Sequence, residues 1–293
     1  MRKSFHEALM AESPLQIAGV INAYTALLAV KAGMKALCLS GSGVAVNAFG
    51  LPDLGLTTFT EVLGEAQRIT DVVDVPLLVD IDTGWGNALT IKRVVRSAER
   101  CNVSALQIED QIQAKRCGHR PNKEVVAPEE MGARLKAMVD SRTSSSLFVI
   151  ARTDAIATEG LLSAVERAQF YIECGADAIF PEAVKSLDEY NEFVMQCKVP
   201  VLANLTEFGQ TPLFSLEELG SVGVKMALYP LTAFRVISKS ALAVYETLRS
   251  QGTQSKLLPL MQTRSELYEV IKYHESENYL DELGAQKPKV KAP

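Results

Sequence analysis

The sequence predicts a (β/α)8 barrel of the TIM type, and two patterns carry that prediction. Eight short apolar segments rich in β-branched residues recur along the chain, with helical patterns between them. Several of these segments are apolar almost throughout, which is typical of parallel strands buried on both faces. A doubly wound sheet is the alternative fold. We prefer the barrel because eight parallel strands are the number that closes a barrel of this type, and because no GxGxxG motif follows the first segment.

The elements follow one another along the whole chain. The predicted strands are residues 16–24, 36–40, 76–82, 105–110, 147–154, 176–182, 199–205 and 224–230. The predicted helices between them are residues 24–33, 58–73, 88–100, 128–142, 160–175, 186–196 and 215–220. A long helix is predicted after the eighth strand over residues 231–251, and a last helix over residues 260–279. We expect one barrel domain with a helical extension over residues 1–285 and a disordered, lysine- and proline-rich tail over residues 286–293.

Composition disfavours several classes of protein. The 293 residues carry a net charge of -5, whereas a nucleic-acid-binding protein should be basic. The five cysteines are scattered without a CxxC pair, which suits a reducing cytosol better than a disulfide framework or a zinc site. The sequence contains neither the apolar stretch of a signal peptide nor a run of the roughly 18 apolar residues that a membrane span requires. We therefore expect a cytoplasmic protein that binds neither nucleic acids nor membranes.

Two aspartates at the end of the third predicted strand indicate a metal site. In a barrel, polar residues at the carboxyl ends of the strands face the active site. Asp80 and Asp82 are two residues apart, so strand alternation places both side chains on one face. Two such carboxylates repel each other unless a cation lies between them, and Mg²⁺ prefers oxygen ligands. Helix capping is the alternative, but a cap requires only one acid. We predict that Asp80 and Asp82 bind Mg²⁺ or Mn²⁺, with Glu109 available through a water molecule.

The other strand ends carry groups that suit a substrate with several carboxylates. Small residues after the second strand let backbone N–H groups approach an anion. Arg152 ends the fifth strand and suits a carboxylate clamp, although an internal salt bridge to Asp154 is the alternative. The residues predicted to bind substrate at these strand ends are Ser40, Gly41, Ser42, Arg152, Glu182, Asn204, Leu205, Thr206 and Arg235.

A basic segment, Lys-Arg-Cys-Gly-His-Arg at residues 115–120, stands out between the fourth strand and the next helix. It lies in a stretch of roughly 17 residues without helix or strand periodicity, and loops of that length are usually lids or binding loops. The surrounding cations favour the thiolate form of Cys117. A solvated loop with an inert cysteine is the alternative. We predict a mobile loop with Cys117 as a catalytic residue, assisted by Lys115 and His119, and with Gly118 at the substrate.

Ten segments together resemble the isocitrate lyase and phosphoenolpyruvate mutase superfamily. They are residues 39–41, 50–53, 79–84, 108–111, 115–123, 151–154, 180–182, 203–209, 226–230 and 261–264. The Lys-Arg-Cys-Gly-His segment is similar to the Lys-Lys-Cys-Gly-His of isocitrate lyases. Residues 204–208, Asn-Leu-Thr-Glu-Phe, differ from the Ser-Pro-Ser-Phe-Asn type of segment in isocitrate lyases and resemble the segment of the methylisocitrate branch.

The resemblance implies a retro-aldol (Claisen-type) lyase. The expected reaction is Mg²⁺-assisted cleavage of 2-methylisocitrate to pyruvate and succinate in propionate breakdown. Cys117 would be the general acid, and Arg264 would join the substrate-binding residues. The resemblance also implies a homotetramer in which the last barrel helix is exchanged between subunits.

One residue departs from the pattern of the superfamily. Its members often carry a tyrosine two residues before the Ser-Gly, and that tyrosine is a candidate base, but Cys38 stands at this position. The sequence therefore assigns no base. Isocitrate lyase, or an oxaloacetate-type carbon–carbon lyase or decarboxylase of the same superfamily, is the nearest alternative. A carboxylate-binding barrel without catalytic activity is the alternative from another class.

Overall fold

A computed structural model describes residues 4–285 of the chain. The chain divides into two compact units, which meet in sequence between Val236 and Ile237. The predicted tail, residues 286–293, lies outside the described residues. That residues 1–285 form a single domain stays a prediction.

The first unit contains eight parallel strands in the order β6-β5-β4-β3-β2-β1-β8-β7. A bridge between Ile179 and Val201 brings β6 beside β7, so the sheet nearly closes on itself. The strands are β1 Leu15–Gly19, β2 Ala36–Leu39, β3 Leu77–Asp80, β4 Ala105–Glu109, β5 Phe148–Thr153, β6 Ala178–Pro181, β7 Leu202–Asn204 and β8 Met226–Tyr229. The predicted (β/α)8 barrel is confirmed.

Strand alternation divides the core into two layers. On β2, Cys38 faces the barrel interior, while Leu37 and Leu39 pack against the surrounding helices. Phe5 packs against Phe148 inside the barrel, with the ring centroids 5.1 Å apart, and belongs to the interior layer. Several inward-facing residues near the carboxyl ends of the strands, including Asp80, Arg152 and Asn204, are polar, and they border the site described below.

Helices connect the strands of the barrel and continue along the chain after β8. They are α1 Phe5–Ala11, α2 Ala23–Lys31, α3 Gly41–Phe49, α4 Phe59–Thr70, α5 Ala88–Arg100, α6 Pro128–Val139, α7 Ile156–Glu159, α8 Leu161–Glu173, α9 Leu187–Cys197, α10 Leu216–Ser221, α11 Thr232–Gln251, α12 Arg264–Val270 and α13 Tyr273–Ala285, with a 3-10 helix at Ser255–Leu260. None of the helices in the described part of the chain is long and apolar enough to cross a membrane.

The structure corrects the sequence-based elements in several places, and the four-residue helix α7 was not predicted. Helix α1 was not predicted because it has only seven residues, although Ser4 and Glu7 form a capping box at its start. Helix α3 was not predicted either; its glycine-rich first turn follows β2 directly and continues into a buried apolar stretch. The predicted last helix over residues 260–279 is wrong. The structure has α12 and α13 instead, separated by Lys272 in the left-handed region at φ 53°.

Candidate active site

Three buried acids at the carboxyl ends of β3 and β4 form the centre of the site. One carboxylate oxygen from each of Asp80, Asp82 and Glu109 lies within 4.8 Å of the other two. Strand β3 ends at Asp80, and Asp82 follows in a left-handed turn at φ 48°. The turn, rather than a continued strand, therefore brings the second aspartate beside the first. We call these three residues the acidic triad.

Backbone and side-chain donors hold Asp80 in place. Its carboxylate accepts hydrogen bonds from Gly41 N at 3.4 Å, Asp82 N at 3.1 Å and Gln107 Nε2 at 3.2 Å. A Cβ at residue 41 would lie 3.0 Å from Asp82 Oδ1, so a larger residue would crowd the triad. The glycine predicted for anion binding thus lets the start of α3 approach the two aspartates.

Glu109 offers acceptor atoms that the protein leaves largely unused. The residue is fully buried, and neither of its carboxylate oxygens accepts a hydrogen bond from the described residues. Its nearest cation is Arg152, whose Nη1 lies 3.3 Å from Oε2. Burial raises the pKa of Glu109 well above its ordinary value, and Arg152 and Lys115 only partly oppose that shift. A buried carboxylate of this kind fits a metal ligand, since hard divalent cations bind oxygen atoms.

Lys115 is placed against the acidic triad. Its Nζ lies 2.5 Å from Asp82 Oδ1 and 2.7 Å from Asp53 Oδ1. Burial alone would lower the pKa of Lys115, but Asp82, Glu109 and Asp53 outweigh burial and raise it. Burial raises the pKa of Asp82 to about 6, although Lys115 opposes this shift. The ammonium group therefore offsets part of the negative charge of the triad.

Arg152 joins the triad to two further carboxylates. Its Nε lies 3.0 Å from Asp154 Oδ2, and its Nη2 lies 3.2 Å from Glu182 Oε2. Burial would raise the pKa of Glu182, but Arg152 and His119 outweigh it and hold this pKa below its ordinary value. The salt bridge to Asp154 that the sequence left open is therefore present, and Arg152 also lines a cavity at this end of the barrel.

The loop after β4 holds Cys117 over this cavity. Cys117 is half-buried, and the next residue, Gly118, is packed so closely that a Cβ would lie 2.3 Å from Arg152 Nη2. Lys123 Nζ donates to Gly118 O at 2.6 Å and pairs with Asp154 Oδ1 at 2.6 Å. These contacts describe a loop seated against the barrel, and Cys117 lines the same cavity as Asp80.

His119 anchors the outer part of the loop. Its Nδ1 accepts a hydrogen bond from Gln210 N at 3.0 Å, and its Nε2 lies 2.9 Å from Glu182 Oε1. A ring nitrogen that accepts a backbone N–H carries no hydrogen itself, so the ring hydrogen lies on Nε2, beside Glu182. His119 thus links the loop to β6 and to the segment after β7.

A cavity of about 110 Å³ collects most of the predicted site residues. Its lining includes Ser40, Ser42, Asp80, Lys115, Cys117, Gly118, His119, Arg152, Glu182, Asn204, Thr206 and Arg235. Leu205 packs its side chain in the core, so only its backbone could face a ligand. Arg264 belongs to the second unit, where it is exposed at the start of α12, and its role stays a prediction.

Sequence reasoning missed several polar residues that support the site. Gln107 is the one that alternation could have identified, because it is a polar residue in an apolar strand and faces inward beside Asp80. Asp53 and Lys123 lie in loops, where no periodic pattern reports which way a side chain points. Gln210 gave no signal, since its contact with His119 spans 91 residues.

Fold and cavity together define a (β/α)8-barrel enzyme with a buried acidic cluster able to hold a metal ion. The family model of phosphoenolpyruvate phosphomutase matches residues 5–249, and the chain belongs to this family. The superfamily that the sequence resembles is thereby confirmed.

Relatives and solved structures agree with this assignment. The 2-methylisocitrate lyase of Escherichia coli is 53% identical over 285 residues, which cover 97% of this chain and 96% of that protein. The crystal structure of 2,3-dimethylmalate lyase superposes with a TM-score of 0.87 at 29% identity, covering 98% of this chain and 96% of the other. Phosphonopyruvate hydrolase, solved with oxalate and Mg²⁺, superposes with a TM-score of 0.81 at 27% identity, covering 98% and 100% of the two chains.

Proposed function

We propose that this protein is a carbon–carbon lyase that cleaves 2-methylisocitrate to pyruvate and succinate. The observation that carries the proposal is one cavity that both Cys117 and Asp80 line. The identity to the 2-methylisocitrate lyase of Escherichia coli supports the substrate. Cationic and amide groups around the cavity suit a substrate with three carboxylates.

Asp80 and Asp82 would hold Mg²⁺ or Mn²⁺, with Glu109 as a third ligand or as an acceptor for a metal-bound water. The acidic triad fits such an ion because its ligand atoms are oxygens and because Glu109 accepts no hydrogen bond from the described residues. The bound ion would supply positive charge that stabilises an ionised substrate hydroxyl and the keto acid that forms from it.

The substrate's carboxylates would be held by groups that lie around the rim of the cavity. Arg235, Asn204 and Thr206 line the cavity and would face the succinate half, whereas Arg152 is already paired with protein carboxylates and contributes mainly its positive field. The hydroxyls and backbone of Ser40, Gly41 and Ser42 would hold the keto-acid half at the start of α3. Glu182 would orient the side-chain amide of Asn204, whose Nδ2 lies 3.3 Å from Glu182 Oε1.

Cleavage requires two proton transfers at opposite ends of the breaking bond. A base takes the hydroxyl proton, the carbonyl of pyruvate forms, and the electron pair of the broken C–C bond passes to the succinate carbon. Cys117 would then donate its proton to that carbon as the general acid. Lys115 and His119 would hold the loop in place, and the seated loop would exclude water from the carbanion.

The surroundings of Cys38 disfavour it as the base. It lies in the barrel floor beside Ser40 and Asp80, around a cavity of about 50 Å³. Burial and the Asp80 carboxylate raise the pKa of Cys38 above its ordinary value, so the thiol keeps its proton. We expect Cys38→Ala to lower kcat by less than about tenfold, whereas loss of a general base typically costs about 10²–10⁴. Steady-state kinetics at a temperature where the variant is folded would test this, and a loss of about 100-fold or more would assign Cys38 to proton transfer.

Localisation, oligomeric state and metabolic role are proposed as well. We propose a cytoplasmic homotetramer that works in the methylcitrate route of propionate breakdown. That Arg264 binds substrate is proposed on the resemblance alone. Exposed apolar side chains of the second unit support self-association, since Leu242, Tyr245 and Leu280 are 59%, 68% and 67% exposed. Exchange of the last barrel helix between subunits is proposed on the resemblance alone.

The substrate can be tested by kcat/KM for 2-methylisocitrate and isocitrate, measured side by side with saturating Mg²⁺. We expect a preference for the methylated substrate of about 10–200-fold, because one methyl group in an apolar pocket contributes about 1–3 kcal/mol. Phe180, Leu228 and Pro230 supply apolar surface at the floor of the site. A preference for isocitrate would replace the proposed function with isocitrate lyase.

A further inference from the structure

Arg134 is a buried arginine that the proposed reaction does not use. It lies on α6 and is only 9% exposed, so its guanidinium requires partners within the protein. Its Nη2 pairs with Glu130 at 2.6 Å, but the side chain of Glu130 is 59% exposed and such a pair contributes little. The remaining contacts of the guanidinium are with backbone carbonyls at the end of β4.

One nitrogen of Arg134 holds two carbonyls that flank Asp110. Its Nη1 donates to Glu109 O at 3.1 Å and to Gln111 O at 2.8 Å. The first carbonyl belongs to a residue of the acidic triad, and the second lies at the start of the loop that carries Cys117. The guanidinium thus ties the end of the strand to the beginning of the loop.

Gln111 continues this connection into the loop. It is 1% exposed, and its Oε1 accepts from Arg116 N at 2.9 Å while its Nε2 donates to Arg116 O at 2.9 Å. Both backbone groups of the residue before Cys117 are therefore fixed by one side-chain amide. Because the same residue gives its carbonyl to Arg134, the acidic triad and the thiol are held by one continuous set of hydrogen bonds.

We propose that Arg134 and Gln111 are positioning residues, Arg134 for the acidic triad and the loop together, and Gln111 for the loop alone. The proposal rests on the proposed function in one respect, namely that Glu109 faces the metal and Cys117 faces the substrate. It predicts that the two residues differ in what they control. Loss of Arg134 disturbs metal binding and the loop, whereas loss of Gln111 disturbs only the loop.

The test measures Mn²⁺ affinity by electron paramagnetic resonance, tryptic cleavage of the loop, and steady-state kinetics on the full chain. Arg134→Met is expected to weaken Mn²⁺ binding about 10–100-fold, as is typical when the support of a metal ligand is lost. Gln111→Met is expected to bind Mn²⁺ within about twofold of wild type. Both variants should be cleaved faster after the exposed Arg116, and both should lose kcat.

Two further variants separate positioning from folding. Glu130→Gln removes the exposed partner of Arg134 and is expected to match wild type within about twofold in all three measurements. Arg134→Lys keeps a cationic donor and should bind Mn²⁺ more tightly than Arg134→Met does. If Arg134→Met does not fold, Arg134→Lys should bind Mn²⁺ more weakly than wild type, by less than the loss expected for Arg134→Met. The proposal is overturned if folded Arg134 variants bind Mn²⁺ as wild type does, or if Gln111→Met weakens Mn²⁺ binding as much as Arg134→Met. Mn²⁺ affinity and tryptic cleavage test the positioning roles of Arg134 and Gln111 even if the chain fails to cleave 2-methylisocitrate.

Discussion

Replacing Cys117 with serine is expected to lower kcat about 10²–10⁴-fold, the range that a lost general acid typically costs. A hydroxyl is a much weaker acid than a thiol, so serine in the same position cannot readily protonate the succinate carbon. The loop contacts that seat this residue are made by Gln111, Lys123 and His119, and none of these contacts involves the sulfur. We therefore expect the variant to bind pyruvate and succinate as wild type does.

The kinetic and binding halves of this prediction are measured separately. Steady-state turnover of 2-methylisocitrate gives kcat, and calorimetric titration with the two products gives their dissociation constants. Cys101→Ser is the matched control, since Cys101 is a half-buried free cysteine at the end of α5 and should leave both quantities unchanged. Turnover of Cys117→Ser at the wild-type rate would contradict the acid role.

Replacing Asp80 with asparagine is expected to remove metal binding and to lower kcat by about 10³-fold or more, because a bound cation stabilises developing charge by several kcal/mol. Asparagine keeps the size of the side chain and one acceptor oxygen for the hydrogen bonds from Asp82 N and Gln107 Nε2, which both reach Oδ1, but it removes the charge. The loss should therefore come from the absent cation and not from a collapsed barrel.

Mn²⁺ binding by electron paramagnetic resonance, with circular dichroism to confirm folding, measures this effect. Chelation of the wild-type enzyme should reproduce the loss in kcat, and added Mg²⁺ should restore activity to wild type but not to the variant. Asp140→Asn is the control, because Asp140 is exposed and its ion pair with Lys136 lies at the surface. Wild-type Mn²⁺ affinity in folded Asp80→Asn would remove this residue from the metal site.

Strand periodicity predicted the parts of the site that depend on local geometry. Asp80, Arg152 and Asn204 all face the barrel interior, and each is the last or next-to-last residue of its strand. An alternating pattern predicts which face of the sheet such a residue occupies. In a parallel barrel the carboxyl ends of all strands lie at the same end, so these residues lie near one another. Residues in the strands could therefore be assigned to a common cavity without coordinates.

Contacts made by loops could not be predicted in this way. Lys115 was expected to act on Cys117, but its ammonium pairs with Asp53 and Asp82, which are 62 and 33 residues away in sequence. The turn at Asp82 also departs from the continued strand that the alternation argument assumed, although it leads to the same juxtaposition. Side-chain direction in a turn follows from long-range packing, and no sequence period reports it.

Metal-assisted cleavage of one substrate into two products in equal amounts is the central claim. It is tested most directly by incubating the full chain with 2-methylisocitrate and quantifying pyruvate and succinate, with Mg²⁺ and with excess chelator. We expect equimolar pyruvate and succinate with Mg²⁺ and neither product with chelator. Failure to release pyruvate in the presence of Mg²⁺, or release that is unaffected by the chelator, would contradict the account.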